Sequence, residues 1–239
     1  MIRLILVVLF IVLFLILSTP LMAFEWFYHK KHPKKADIQS LRIVQWAFRG
    51  VMFFAGVHYD VTGMENIPKD KAVLFVANHK SLFDTVLVYS LMPNPTGFVA
   101  KDGMLKVPLL RIWMRRLHCL FLNREDPRAG LQMILDCIEL IKSGISVFIF
   151  PEGTRIAEDE MQPFKPGAVK MASKTGCPII PIAIRGTRNV LENHFPLIRS
   201  THVTVTIGEP IIPGDLDEEN KKHLATYAQG KIQEMLNTK

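Results

Sequence analysis

Residues 73–77 are five consecutive apolar residues, and the run stops at Asn78. A run that short and apolar at every position fits a strand covered on both faces, as in a parallel sheet. Comparable runs recur at 97–100, 119–122, 147–150, 179–184 and 203–207, separated by helical patterns at 82–91, 104–116, 127–142, 168–174 and 216–236. Asp126 and Pro127 supply a cap and a first-turn proline for one of these helices, and Gly144 lies just past its end. The alternation predicts an α/β fold with a mostly parallel sheet flanked by helices.

Ahead of this pattern, residues 4–24 form an uncharged stretch of 21 residues. As one helix it would extend about 31 Å, close to the hydrocarbon thickness of a bilayer. It reads as a retained membrane anchor. A cleaved signal peptide is the alternative, but the apolar run is long for one and Leu21 is bulky for a cleavage site at Ala23. Pro20 stands where it would kink the end. Lys30, Lys31, Lys34 and Lys35 follow the stretch whereas only Arg3 and the amino terminus precede it. That asymmetry places the rest of the chain on the cytoplasmic side. Trp26 and Tyr28 fit an interfacial aromatic belt. In the second apolar stretch, 41–57, Arg42, Gln45 and Arg49 share one helical face, and Trp46, Phe48, Val51, Phe53 and Phe54 occupy much of the rest. The pattern predicts a helix lying in the membrane interface, with packing on the soluble domain as the alternative.

A chain of 239 residues suits one sizeable domain, and a net charge of +7 favours anionic partners. No zinc-finger spacing, homeodomain-like helix or aromatic RNA-binding strand is present, so the expected partner is membrane lipid and not nucleic acid. Cys119, Cys137 and Cys177 are an odd number without metal-ligand spacing and read as buried thiols in a reducing compartment. No metal is expected.

The chemistry concentrates where apolar runs end. In open α/β sheets ligands bind beyond the carboxyl ends of the strands. His79 stands at such an end, and Asp84 follows five residues later. Ser81 and Asp84 also match a helix-start pattern, so Asp84 has a purely capping alternative. Residues five apart on a regular helix lie about 140° apart and cannot touch. With His79 in the turn before the helix, the two can meet. A carboxylate on one imidazole nitrogen fixes the tautomer and leaves the other nitrogen as a base. His79 and Asp84 are therefore the candidate catalytic pair. A second exit carries Pro151, Glu152, Gly153, Thr154 and Arg155; glycine admits close backbone approach, and arginine matches phosphate bidentately. A solvated surface arginine is the alternative there. A third exit ends in Arg124, and Lys101 is a further cation. The helix expected at 104–116 interleaves Arg111, Arg115 and Arg116 with apolar residues and reads either as interfacial or as an ordinary packing helix.

Four segments carry a resemblance. NHKSLFD resembles the NHxxxxD motif of the glycerophospholipid acyltransferases, and FLNR, FPEGTR and CPIIPIAIRGT resemble that family's second, third and fourth blocks, in the family's order, across residues 78–187. Asn123 departs from the aspartate often found in the second block, which leaves acceptor choice more open. The resemblance implies transfer of an acyl group from acyl-CoA or acyl carrier protein to the sn-2 hydroxyl of lysophosphatidic acid, with no cofactor beyond the thioester co-substrate. It implies His79 as base with Asp84 orienting it, and Arg124 and Arg155 on the acceptor phosphate with Lys101 assisting. Glu152 would orient the loop or a substrate hydroxyl, and the turn at Gly153 and Thr154 would contribute backbone to substrate binding and to the oxyanion. No G-x-S-x-G elbow occurs, so direct attack is expected without an acyl-enzyme. An acyltransferase for another lysophospholipid, a lipid hydrolase and a non-catalytic membrane lipid-binding protein are the alternatives. The expected organisation is an anchor at 1–28, a basic linker and interfacial helix at 29–59, and a catalytic domain at 60–239.

Overall fold

The computed structural model describes residues 1–123, 125–155 and 160–238. Its strands are β1 (Val57–Thr62), β2 (Leu74–Ala77), β3 (Thr96–Lys101), β4 (Leu120–Leu122), β5 (Ser146–Ile149), β6 (Ile179–Arg185) and β7 (Thr201–Ile207). Its helices are α1 (Ile2–Leu17), α2 (Thr19–Lys31), α3 (Pro33–Ala55), α4 (Leu82–Leu91), α5 (Pro108–Arg116), α6 (Pro127–Lys142), α7 (Lys170–Thr175), α8 (Glu218–Lys222) and α9 (Leu224–Asn237). Among the described residues the strands form one sheet in the order β1-β7-β6-β2-β5-β3-β4. Neighbours run parallel except β6 and β7. The expected α/β architecture is present.

Why β2 is apolar throughout follows from its central position. Phe75 and Ala77 face one core layer, with Phe98, Phe148 and Leu87 of α4; Leu74 and Val76 face the other, with Val147, Ile149 and the inner faces of α6, α7 and α9. Successive side chains on a strand point to opposite faces, so a strand covered on both sides has no polar position. Phe98 and Phe148 stack at 4.5 Å between ring centroids. At the end of β2, Asn78 replaces a strand residue with its side chain. Its Nδ2 donates to Ile184 O at 2.9 Å, and its Oδ1 accepts from the Ile184 N–H at 2.8 Å. The pairing to β6 thus persists while the backbone turns out of the sheet towards His79.

Several expected boundaries are corrected. The helix over 41–57 ends at Ala55, because Gly56 adopts φ +71°, and residues 57–62 form the edge strand β1 instead. Every residue of β1 after Val57 is at least partly exposed, and its sequence alternates with polar residues, which hid it from a search for apolar runs. The helix over 104–116 starts only at Pro108. A residue before proline avoids the helical region, and Val107 is extended, with φ −98° and ψ 103°. The last helix is two pieces, separated at His223, with Asp217 capping the first.

The expected single N-terminal span also changes. It breaks at Ser18 into α1 and α2, which bend by 49°. No single helix among the described residues is long and apolar enough to cross a membrane; the bent pair meets that test only when taken together. Pro20 lies in the first turn of α2, where its missing N–H leaves no helical bond unmade. Both helices pack along α3. Phe10 of α1 sits against Trp46 and Phe54, with ring centroids 5.9 and 5.2 Å apart, and covers Gly50. Arg3 donates to Ala55 O at 3.0 Å, a cation on the carbonyl end of α3.

The polar row of α3 faces inward. Gln45 is buried, and its Nε2 donates to Tyr89 O at 3.1 Å and Met92 O at 2.7 Å. Arg42 donates to Pro93 O and Arg49 to Ser90 O, each at 3.4 Å. A helix leaves its last carbonyls without helical partners; this row of α3 donates to carbonyls in the last turn of α4 and just beyond it. One face of α3 is thus a packing face, as in the alternative above, while Trp46 and Phe53 remain exposed on it elsewhere. On α5, Arg116 also turns inward, towards the carboxylate of the fully buried Glu25 at 3.7 Å. It is therefore not a headgroup contact.

Candidate active site

Asp84 serves as cap and as imidazole partner with one oxygen. Its Oδ2 accepts from the Lys80 N–H at 2.6 Å and the Ser81 N–H at 2.7 Å, and lies 3.0 Å from His79 Nδ1. The capping box is completed by Ser81 Oγ, which accepts from the Phe83 N–H at 3.0 Å. The sequence-level alternatives for Asp84 are therefore one arrangement. Because Oδ2 is an acceptor, the network assigns the proton on His79 to Nδ1 and the lone pair to Nε2.

The imidazole is held from two further sides. Its ring stacks on Phe150 at 3.9 Å between centroids and 14° between planes. This follows from register: Val76 of β2 pairs with Ile149 of β5, so the two strand exits lie side by side. The His79 N–H donates to Glu152 Oε1 at 2.7 Å, and Glu152 Oε2 accepts from the Gln162 N–H at 2.9 Å. Both oxygens of this buried carboxylate thus serve backbone donors, which fix the loop beneath the histidine. The His79 side chain keeps 13% exposure whereas Asp84 has none. The carboxylate of the pair is fully buried, and what is exposed of the pair belongs to the imidazole.

Gly153 turns the chain with φ +79°, and a Cβ there would meet Lys165 Nζ at 2.7 Å. Its N–H donates to Phe150 O at 3.0 Å, so this amide closes the turn and is not free for an oxyanion. Thr154 lies in the following exposed bend. Arg155 pairs with Glu192, Nη1 to Oε1 at 3.6 Å, and keeps 45% of its side chain exposed. Lys101 is exposed at the carboxyl end of β3, opposite Leu122 of β4. Arg124 lies outside the described residues. Glu192 was missed by the sequence reading: it stands beyond the fourth motif segment, with no spacing pattern to mark it.

The cysteines offer no nucleophile. Burial pushes the Cys119 thiol up to about 11 and the Cys137 thiol up to about 12, and also raises that of Cys177. Thiolate, not thiol, is the reactive form.

A fold with this paired histidine at the carboxyl edge of a parallel sheet matches a known class. The family model described as Acyltransferase matches residues 58–185, and the chain belongs to that family. Among relatives, it is 35% identical over 180 residues to the chloroplastic 1-acyl-sn-glycerol-3-phosphate acyltransferase BAT2 of Brassica napus, across 74% of this chain and 51% of that protein. It is 30% identical over 187 residues to the 1-acyl-sn-glycerol-3-phosphate acyltransferase of Borreliella burgdorferi, across 78% and 75%. The chain spans about half the length of its plant relatives from Brassica napus and Arabidopsis thaliana. The crystal structure of the 1-acyl-sn-glycerophosphate (LPA) acyltransferase PlsC from Thermotoga maritima superposes with a TM-score of 0.77 at 26% identity, over 99% of this chain and 98% of that one.

Proposed function

We propose that this protein transfers a fatty acyl group from a thioester to the sn-2 hydroxyl of 1-acyl-glycerol-3-phosphate, forming phosphatidic acid. The carrying observation is the His79–Asp84 contact, with Nδ1 held by the carboxylate, which leaves Nε2 as the basic nitrogen of a part-exposed ring. The acceptor hydroxyl gives its proton to Nε2 as its oxygen attacks the thioester carbonyl. Asp84 holds the ring and stabilises the imidazolium. The tetrahedral intermediate then collapses, expelling a thiolate whose conjugate acid has a pKa near 8.5 and so needs little acid assistance. The imidazolium returns its proton to that sulfur or to solvent. Arg155, exposed and mounted on the turn beside the base, binds the acceptor phosphate; Arg124 and Lys101 assist. No metal or cofactor enters the reaction.

Both substrates carry acyl chains, and the apolar exposure suits them. Ile5, Leu9, Val12 and Ile16 of α1, Phe24 and Phe27 of α2, and Trp46 and Phe53 of α3 are exposed. In this reading they meet membrane lipid, with the lysines at 30, 31, 34 and 35 on the cytoplasmic side. The test is to supply labelled acyl-CoA, and separately acyl carrier protein, with a panel of lysophospholipids and to identify the product. Phosphatidic acid is expected. Free fatty acid without an acceptor would indicate a hydrolase, and no turnover on any acceptor would indicate a lipid-binding protein.

A further inference from the structure

Glu192 gathers groups from two parts of the site. Its Oε2 accepts the Ser81 hydroxyl at 2.7 Å, and its Oε1 accepts the Leu82 N–H at 2.8 Å and lies 3.6 Å from Arg155 Nη1. Ser81 and Leu82 open α4, whose first turn carries Asp84, and Asp84 holds His79. The Ser81 oxygen accepts from the Phe83 N–H, which leaves its own proton for Glu192. The carboxylate is thus seated at the amino end of a helix, where unpaired N–H groups and the helix dipole favour negative charge. Its anchorage on α4 is rigid, whereas its other partner, Arg155, is long and about half exposed. An unrestrained arginine samples many rotamers.

We propose that Glu192 is a positioning residue that ties Arg155, and with it the acceptor phosphate, at a set reach from the His79 base. The proposal deepens the function above and rests on it. In 1-acyl-glycerol-3-phosphate the reacting hydroxyl sits on the carbon next to the one bearing the phosphate ester. A fixed phosphate therefore fixes the hydroxyl. The bond from Glu192 acts on the acceptor and not on the thioester, and it acts through Arg155.

Glu192→Gln is nearly isosteric and keeps one acceptor oxygen, for the Leu82 N–H, with the Ser81 hydroxyl free to rotate and accept from the amide, but loses the charge that holds Arg155. It is expected to raise KM for 1-acyl-glycerol-3-phosphate roughly two- to fivefold, the scale of a part-exposed ion pair, and to leave KM for the acyl thioester unchanged. In an Arg155→Ala background the same substitution is expected to leave KM for 1-acyl-glycerol-3-phosphate unchanged, because the ion pair it removes is already gone. A merely structural Glu192 would instead lower activity by the same factor in both backgrounds. That additivity, an effect on the donor KM, or no change in the acceptor KM would overturn the assignment. Thermal melts verify folding of each variant; if Glu192→Gln does not fold, Glu192→Asp takes its place in the same cycle. A wild-type protein inactive toward every lysophospholipid would overturn the functional reading and this role together. An active wild type with additive variants would overturn the role alone.

Discussion

His79 and Asp84 illustrate how much one oxygen can carry. Asp84 Oδ2 receives two backbone N–H groups and the imidazole, so the turn that starts α4 and the orientation of the base are the same structure. His79→Ala removes the base but neither N–H bond. Activity should fall 10²–10⁴-fold or more with melting nearly unchanged, and activity within about threefold of wild type would end the assignment. Asp84→Asn should lower both. Its amide oxygen can keep the cap, or its nitrogen can face the ring, and in the latter case the wrong imidazole tautomer is favoured. Initial rates and thermal melts on the same preparation separate the two losses. Arg155→Lys keeps a charge but not a planar fork. It should lower kcat/KM for the lysophospholipid by about 10- to 150-fold, the scale of a charge-assisted hydrogen bond of roughly 1.5–3 kcal/mol, and leave the thioester term nearly unaffected.

At the level of elements, α3 shows that a polar stripe on an apolar helix need not face water. Gln45 places its amide on two carbonyls at the end of α4, and Arg42 and Arg49 reach two more. Gln45→Leu would take the side-chain donor from Met92 O, whereas Tyr89 O would keep the Met92 N–H. The expected destabilisation is about 2 kcal/mol, or roughly 4–8 °C in a chain of this size, with catalysis by the folded fraction little changed. Calorimetric melting checks it, and a melting point equal to wild type would refute the capping role of α3. The break between α1 and α2 has a similar internal partner. Ser18 Oγ accepts from Trp113 Nε1 at 3.0 Å, tying the bend to α5.

Across the whole molecule the buried thiols make stability depend on alkaline pH. Cys137 is held up to about 12 in the folded protein, whereas an unfolded thiol titrates near 8.5. Below pH 8.5 both states keep the proton and the thiol contributes its full stabilisation. As pH rises through the interval up to about 12, only the unfolded chain releases the proton, so stability falls by about 1.4 kcal/mol per pH unit for this group. Urea midpoints should therefore decline from pH 9 to 11, and Cys137→Ala should make the decline shallower; an unchanged slope would show that this thiol does not govern it. What the chain's order of residues determined by itself was local and periodic. The central strands were legible because burial on both faces demands unbroken apolar runs. The ends of α4 and α6 were legible because caps and prolines act within a turn. The pairing of His79 with Asp84 was legible because the two are separated by one turn of backbone. Tertiary structure alone decided the rest. Whether the row Arg42, Gln45 and Arg49 faced lipid or carbonyls depended on where α4 ended in space. The half-exposed edge strand β1 needed its partner β7 to exist. Glu192 joined the site only because the turn after β6 returns to the start of α4, a contact between residues 110 and 111 positions apart that no local spacing encodes.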